Sequence, residues 1–157
     1  MKVESLLELF IHDLSDVYSA EKQITRALPK MIRATSDESL KEAFLQHLEE
    51  TRGQIQRIDD AVEAHEELRI LQMKCHALEG LVEEAQELIE ATEAGEVRDA
   101  GLIGAAQKVE HYEIATYGTL IALAKKLGLD EAATLLAETL AEEKNTDAKL
   151  TTIAEAH

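Results

Sequence analysis

The sequence predicts an all-α fold: four long helices form two antiparallel hairpins, and a crossover carrying a short extra helix joins them. Three observations lead there. Apolar residues recur at steps of three and four through most of the chain, the repeat of an amphipathic helix rather than a strand. Only one proline and seven glycines punctuate the 157 residues. Turn and cap residues fall close together after Ala34 and at Gly128–Asp130, whereas the connection in the middle is long. Short links make antiparallel neighbours, and one long crossover is a standard bundle connection.

The first helix is expected from about Val3 to Ala34, with Leu7, Phe10, Leu14, Val17, Glu21, Ile24, Leu28 and Met31 as its buried seam. Pro29 lies inside that pattern and predicts a kink or loosened last turns, because it lacks an N–H and crowds the preceding turn. Ser36 or Asp37 caps a second helix running to about His65, since a short oxygen-bearing side chain accepts from the free N–H groups of a first turn. Its seam reads Phe44, Leu48, Thr51, Ile55, Ile58 and Val62, with His47, Glu50 and Gln54 along one shoulder.

A polar stretch from Glu66 to His76 leads into the short helix, about Ala77 to Thr92, which buries Leu78, Leu81, Val82, Ala85, Leu88 and Ile89; Gly95 reads as its stop. The fourth helix spans about Val97 to Leu127 and ends at Gly128. Its seam is Ile103, Ala106, Glu110, Glu113, Tyr117, Leu120, Ala124 and Leu127. Asp130 caps the fifth helix, with a seam of Ala133, Leu136, Leu140, Glu143, Asp147, Leu150 and Ala154. No flexible linker or low-complexity run divides the chain, so residues 1–157 are read as a single domain.

Composition narrows the function. Apolar residues make up 45% and charged residues 31%, a globular balance. A chain of this length buries about 68–70% of the surface it exposes when unfolded. The net charge of −16 disfavours nucleic acid and anionic membranes and favours cations. No apolar run approaches the ~20 residues that span a bilayer, and the single cysteine, Cys75, forms no internal disulfide. A cytoplasmic protein is expected.

The informative feature is a set of glutamates where leucines belong. Glu110 and Glu113 interrupt the seam of the fourth helix, Glu21 that of the first and Glu143 that of the fifth, while Glu50 sits at mid-height on the second. Antiparallel helices of similar length align their middles, so these five glutamates meet in one layer. A buried, unpaired carboxylate costs several kcal/mol, so such groups are paired, protonated or bound to cations. Divalent ions such as iron(II) or manganese suit an oxygen-rich donor set, and a Glu-x-x-Glu pair one turn apart can serve two metals from one helix. The alternative is a salt-bridged or proton-sharing core, with Lys22, Lys108 or Lys144 as partners.

At these positions the chain resembles a known family. The segments DVYSAEKQ (16–23), HLEET (47–51), KVEHYEIA (108–115) and LAEEKNTD (140–147) resemble the YciE/YciF family, and its YciF branch more closely, over essentially the whole chain. The resemblance implies a ferritin-like bundle, a bacterial stress-response role and a homodimer. Its wider relatives include rubrerythrin and other di-iron carboxylate proteins. Carried over position by position, the di-iron pattern falls on Glu21, Glu50, Glu110, Glu113 and Glu143. It implies a bound iron or manganese site.

One departure stands out. Di-iron proteins usually carry Glu-x-x-His on two helices, and here those histidine positions are Gly53 and Thr146. His47, one turn before Glu50, and Asp147, one turn after Glu143, are the substitute metal ligands, and Gln54 is placed to bond a carboxylate behind them. Two functions follow: a metal protein handling peroxide, oxygen or iron, or a non-catalytic stress dimer acting through partners. The sequence assigns no catalytic residue.

Other positions carry weaker signals. Tyr18 and Tyr117 lie near the layer and can donate to glutamates. His111 reads as a packing or interface residue, and His12, His65, His76 and His157 show no ligand spacing. Gly53 in mid-helix costs about 1 kcal/mol relative to alanine and suggests close helix approach or a small cavity. No Gly-rich phosphate loop and no nucleophile elbow is present.

Overall fold

In the computed structural model, residues 2–156 are described. Five helices follow in order: α1 (Leu6–Ala34), α2 (Glu38–Ala64), α3 (His76–Ala91), α4 (Glu96–Lys126) and α5 (Asp130–Ala156). No strand occurs among the described residues. The four long helices form a ring, α1 beside α2, α2 beside α5, α5 beside α4, and α4 beside α1. Each is antiparallel to its two neighbours. The short α3 packs outside, against α4 and α1.

Local chemistry sets the ends. Ser5 caps α1 by accepting from Glu8 N–H at 3.1 Å, so the helix begins three residues later than the periodicity suggests. Asp37 caps α2 by accepting from Leu40 N–H at 2.9 Å. Asp99, in the first turn of α4, accepts from Ser36 and Asp37 N–H at 2.9 Å each, tying the α1–α2 turn to the start of α4. Pro29 does not end α1, which continues to Ala34.

Gly95 serves as the N-cap of α4 rather than as the stop of α3, whose C-cap is Thr92. At the other end of α4, Leu129 N–H donates to Ala124 O and Gly128 N–H to Lys125 O. This double closure needs a left-handed residue at Gly128, where φ is 73°. It turns the chain directly into α5, and His65 Nε2 accepts from Ala132 N–H at 3.2 Å in the first turn of that helix.

The polar crossover is held by α1. Ser15 Oγ accepts from Leu71 N–H, Ser19 Oγ accepts from Cys75 N–H, and Gln23 donates to Cys75 O. The bundle core falls into two apolar halves. One contains Phe10, Leu14, Ile58, Leu120 and Leu136, the other Leu28, Leu40, Phe44, Leu102 and Leu150. Between them lies a polar layer.

Candidate metal centre

Seven of the eight seam positions expected on α4, Ile103, Ala106, Glu110, Glu113, Tyr117, Leu120 and Ala124, are buried, and the eighth, Leu127, is its half-buried C-cap. The helix therefore aims Glu110 and Glu113 at the bundle axis, one turn apart. Glu21 reaches the same layer from α1 and Glu143 from α5, and all four side chains are fully enclosed. From α2 the layer receives His47 (3% exposed), Thr51 and Gln54 rather than Glu50. Two of the three residues read as a shoulder of α2, His47 and Gln54, thus join the seam residues Phe44, Leu48, Thr51 and Ile58 on its inner face, while Ile55 and Val62 are only half-buried.

Two overlapping triads result. His47, Glu110 and Glu113 each place one ligand atom within 4.8 Å of the others, and so do Glu21, Glu113 and Glu143. Glu113 belongs to both. His47 Nε2 lies 2.8 Å from Glu110 Oε1, yet the contact is not aligned as a hydrogen bond. Both oxygens of Glu110, Glu113 and Glu143 lack a hydrogen-bond donor, as does Glu21 Oε2. Tyr117 OH donates to Glu21 Oε1 at 3.2 Å, the one hydroxyl bond into the cluster among the described residues.

The three lysines weighed as partners, Lys22, Lys108 and Lys144, are exposed, and Lys22 instead lies over the Tyr18 ring at 4.4 Å. Tyr18 itself points outward and donates to Asp59. None of these three lysines therefore neutralises the cluster.

That environment raises all four buried glutamates. Burial pushes Glu21 up to about 7, with the negative charge of Glu143 adding to the rise and Glu113 opposing it. Burial likewise raises Glu110 to about 8, and the charges of Glu21, Asp147 and Glu50 reinforce it. Glu113 and Glu143 lie well above the carboxylate range for the same reason. Tyr117 is raised by burial and by the carboxylates it faces. An ion pair in contact with the cluster contrasts with it. Burial pushes Glu142 up, but bonds from Arg57 (2.6 and 2.9 Å) and Gln54 (3.1 Å) outweigh that and hold it below its usual range.

The remaining two candidates sit at the edge. Glu50 is half-buried, and its oxygens accept from Gln46 Nε2 and Thr146 Oγ1 at 3.1 Å each. Asp147 is 22% exposed and lies 3.4 Å from the exposed His111. Neither belongs to a triad, although the charges of both raise Glu110. The displacement of Asp147 follows from the rotation of α5. Its inner face is Ala132, Ala133, Leu136, Thr139, Glu143, Thr146, Leu150 and Ile153, so Thr146 takes the inward position expected for Asp147.

Gln54 does bond a carboxylate behind the site, that of Glu142; sequence reasoning missed Arg57, Glu142 and Thr139 around it, and a second cluster in which Tyr112 OH donates to Asp16 at 2.7 Å and lies 3.1 Å from Cys75 Sγ. The threonines on the inner faces of α2 and α5 were the available signal for the first. His12, His65 and His76 take no part in the layer, and His157 lies outside the described residues. No described helix is long and apolar enough to cross a membrane.

Residues 5–157 match a family described as a domain of unknown function, DUF892. The chain is 64% identical over 154 residues to Protein YciF of Escherichia coli K12, covering 98% of this chain and 93% of that protein. The crystal structure of the E. coli stress protein YciF superposes with a TM-score of 0.95, covering 97% of this chain and 96% of that one. A structure from Rhodopseudomonas palustris, YcfI, is 42% identical with a TM-score of 0.92, and covers 96% of each chain. A protein of Xanthomonas campestris, 24% identical, shares the fold with a TM-score of 0.78, covering 97% of this chain and 93% of that one. With the family matched over almost its whole length and a relative this similar, the chain belongs to the DUF892 family, the YciF group of helical-bundle proteins.

Proposed function

We propose that this chain is a ferritin-like stress-response protein that holds one or two divalent cations, iron(II) or manganese, among Glu21, His47, Glu110, Glu113 and Glu143. The stress role is carried over from the E. coli relative, a stress protein. The observation that carries the metal reading is the orphaning of the carboxylate oxygens. Six oxygens on three fully buried glutamates have no donor, although buried polar atoms are ordinarily paired. A donor set of carboxylates and one imidazole fits first-row divalent ions.

Glu113, common to both triads, would serve both sides of the site. His47 and Glu110 complete one side, Glu21 and Glu143 the other. Tyr117 orients Glu21, and Gln54, anchored on Glu142, lies against Glu143. A bound ion of this kind supplies Lewis-acid and one-electron chemistry toward peroxide or oxygen. The two apolar halves above and below keep bulk water from the layer. A cytoplasmic homodimer belongs to this reading, and sedimentation of the purified protein tests the dimer.

The test is elemental analysis of protein purified without chelators or an affinity metal column, beside Glu110→Ala/Glu113→Ala. Near-stoichiometric iron or manganese, lost in the variant, is expected. Equal metal in both proteins refutes the ligand assignment.

A second reading has its own support. With Glu21 at about 7 and Glu110 at about 8, protons held between facing carboxyls can satisfy the layer at neutral pH without a metal. The protein would then be a non-catalytic stress dimer acting through partners. It requires that manganese or iron(II) leave the melting temperature unchanged, because a ligand bound only by the native state raises it.

A further inference from the structure

The face of α3 that meets the bundle is only partly covered. Leu81, Val82 and Ile89 are only half-buried, and a groove of about 960 Å³ runs between α1, α3 and α4. Its walls are apolar, with Ile24, Leu28 and Met31 from α1, Val82 and Ile89 from α3, and Val109 from α4. That volume lies in the range of small-molecule sites, which pair apolar walls with a few polar groups. The groove also reaches His47 on α2, beneath the surface.

His47 is the independent sign of a ligand. The ring is 3% exposed, its Nε2 faces Glu110 at 2.8 Å, and its Nδ1 has no partner. An imidazole that faces a carboxylate or a metal through one nitrogen ordinarily bonds through the other. Here the other belongs to a ring that lines an apolar groove.

We propose that this groove binds a neutral molecule with an aliphatic chain and a hydroxyl or hydroperoxyl head, the chain lying along α3 and the head bonded to His47 Nδ1. A hydroxyl both donates and accepts, so it serves either tautomer of the ring. A carboxylate head is disfavoured by the four buried glutamates just beyond and by the net charge of −16. The rim carries both signs, Arg26 and Lys30 against Glu83 and Glu87, and so selects for no ion. A slender chain can follow the groove to the His47 ring, where a small turn of the ring would bring the enclosed Nδ1 to the head, whereas a helix of a second copy, about 10–12 Å across, is too wide to follow it. The proposal deepens the metal reading by naming what would approach the centre, but the groove and the unpaired nitrogen exist without a cation.

The test uses the purified full-length protein and the neutral fluorophore N-phenyl-1-naphthylamine, displaced by 1-dodecanol. Saturable one-site binding and full displacement are expected. Ala27→Trp and Val82→Trp, which fill the groove from opposite walls, should each weaken both compounds at least tenfold while leaving metal content unchanged. His47→Phe should weaken dodecanol about tenfold and leave the fluorophore alone. Binding that is absent, that persists in a folded tryptophan variant, or that is equal for dodecanol in His47→Phe overturns the proposal. If the tryptophan variants do not fold, shifts of the His47 ring signals on adding dodecanol to the native protein decide, and unmoved signals refute it. Elemental analysis of the same samples separates the two ideas. Metal-free protein that binds dodecanol sinks only the metal reading, and metal-loaded protein that does not sinks only this one.

Discussion

Removing metal should make the protein less stable as pH rises from 5 to 8, and adding metal should reverse that slope. The folded state holds Glu21 at about 7 and Glu110 at about 8, against an ordinary value of 4.5. A group raised on folding binds its proton more tightly in the native state than in the unfolded one. Its stabilising effect is complete below pH 4.5 and disappears as pH climbs through 7 and 8. One unit is worth about 1.4 kcal/mol, so the rise of Glu21 alone corresponds to about 3 kcal/mol lost by pH 8. Protons leave coupled carboxyls as a set rather than residue by residue, so about 3 kcal/mol serves as the working figure for the layer. For a chain of this size that is a fall in Tm of roughly 6–12 °C.

Metal binding demands ionised carboxylates and releases protons, so its stabilisation grows with pH. The assay is calorimetric melting between pH 5 and 8.5, with chelator and with manganese, on the native chain and on Glu110→Gln/Glu143→Gln. That variant removes titrating groups while conserving shape, so the native-minus-variant difference cancels the surface charges. A metal-free Tm difference that stays level across this window refutes the account of the buried layer. Slopes that are identical with and without manganese refute the metal reading.

Two further outcomes follow from the packing. A Cβ at Gly101 would meet Leu88 Cδ2 at 2.5 Å, whereas one at Gly53 would meet nothing within 4 Å. Gly53→Ala should therefore add about 0.5–1 kcal/mol by its helix propensity, and Gly101→Ala, which must turn the Leu88 side chain aside, should add less or cost stability; denaturant titration compares them, and equal effects would contradict the geometry. Cys75 is fully buried and its thiol is pushed up by burial, so labelling by a disulfide reagent at pH 8 should track global unfolding, and rapid labelling of native protein would show that α3 opens locally.

The open space at Gly53 separates two meanings of a helix glycine. Sequence suggested close approach or a cavity there, and the structure puts the close approach at Gly101, beneath Leu88. Burial alone cannot be read from the identity of a glycine, because the partner helix is absent from the local pattern. The same limit hid the bond from Tyr112 to Asp16 and its contact with Cys75, whose members lie 59 and 96 residues from Asp16 along the chain.

The carboxylate layer was legible because periodicity is a local property. Glu21, Glu110 and Glu113 fall on seams whose apolar neighbours fix the inward face without ambiguity, and Glu143 lies where both faces drawn on α5 meet. On α2 and the later part of α5 the sequence offered two faces. A repeat of 3.6 residues lies between steps of three and four, and alanine, threonine and polar residues populate both tracks. Leu140, Asp147 and Ala154 made one acceptable seam on α5, yet Thr139, Thr146 and Ile153 are the residues turned inward. On α2 the same choice sent His47 and Gln54 to the layer and left Glu50 at its margin. The chain by itself determined which segments are helices, how they pair and that anionic side chains interrupt the core. The rotation of α2 and α5 about their own axes was decided only in the tertiary structure, because it depends on how neighbouring helices pack, and that rotation gives the layer its one imidazole.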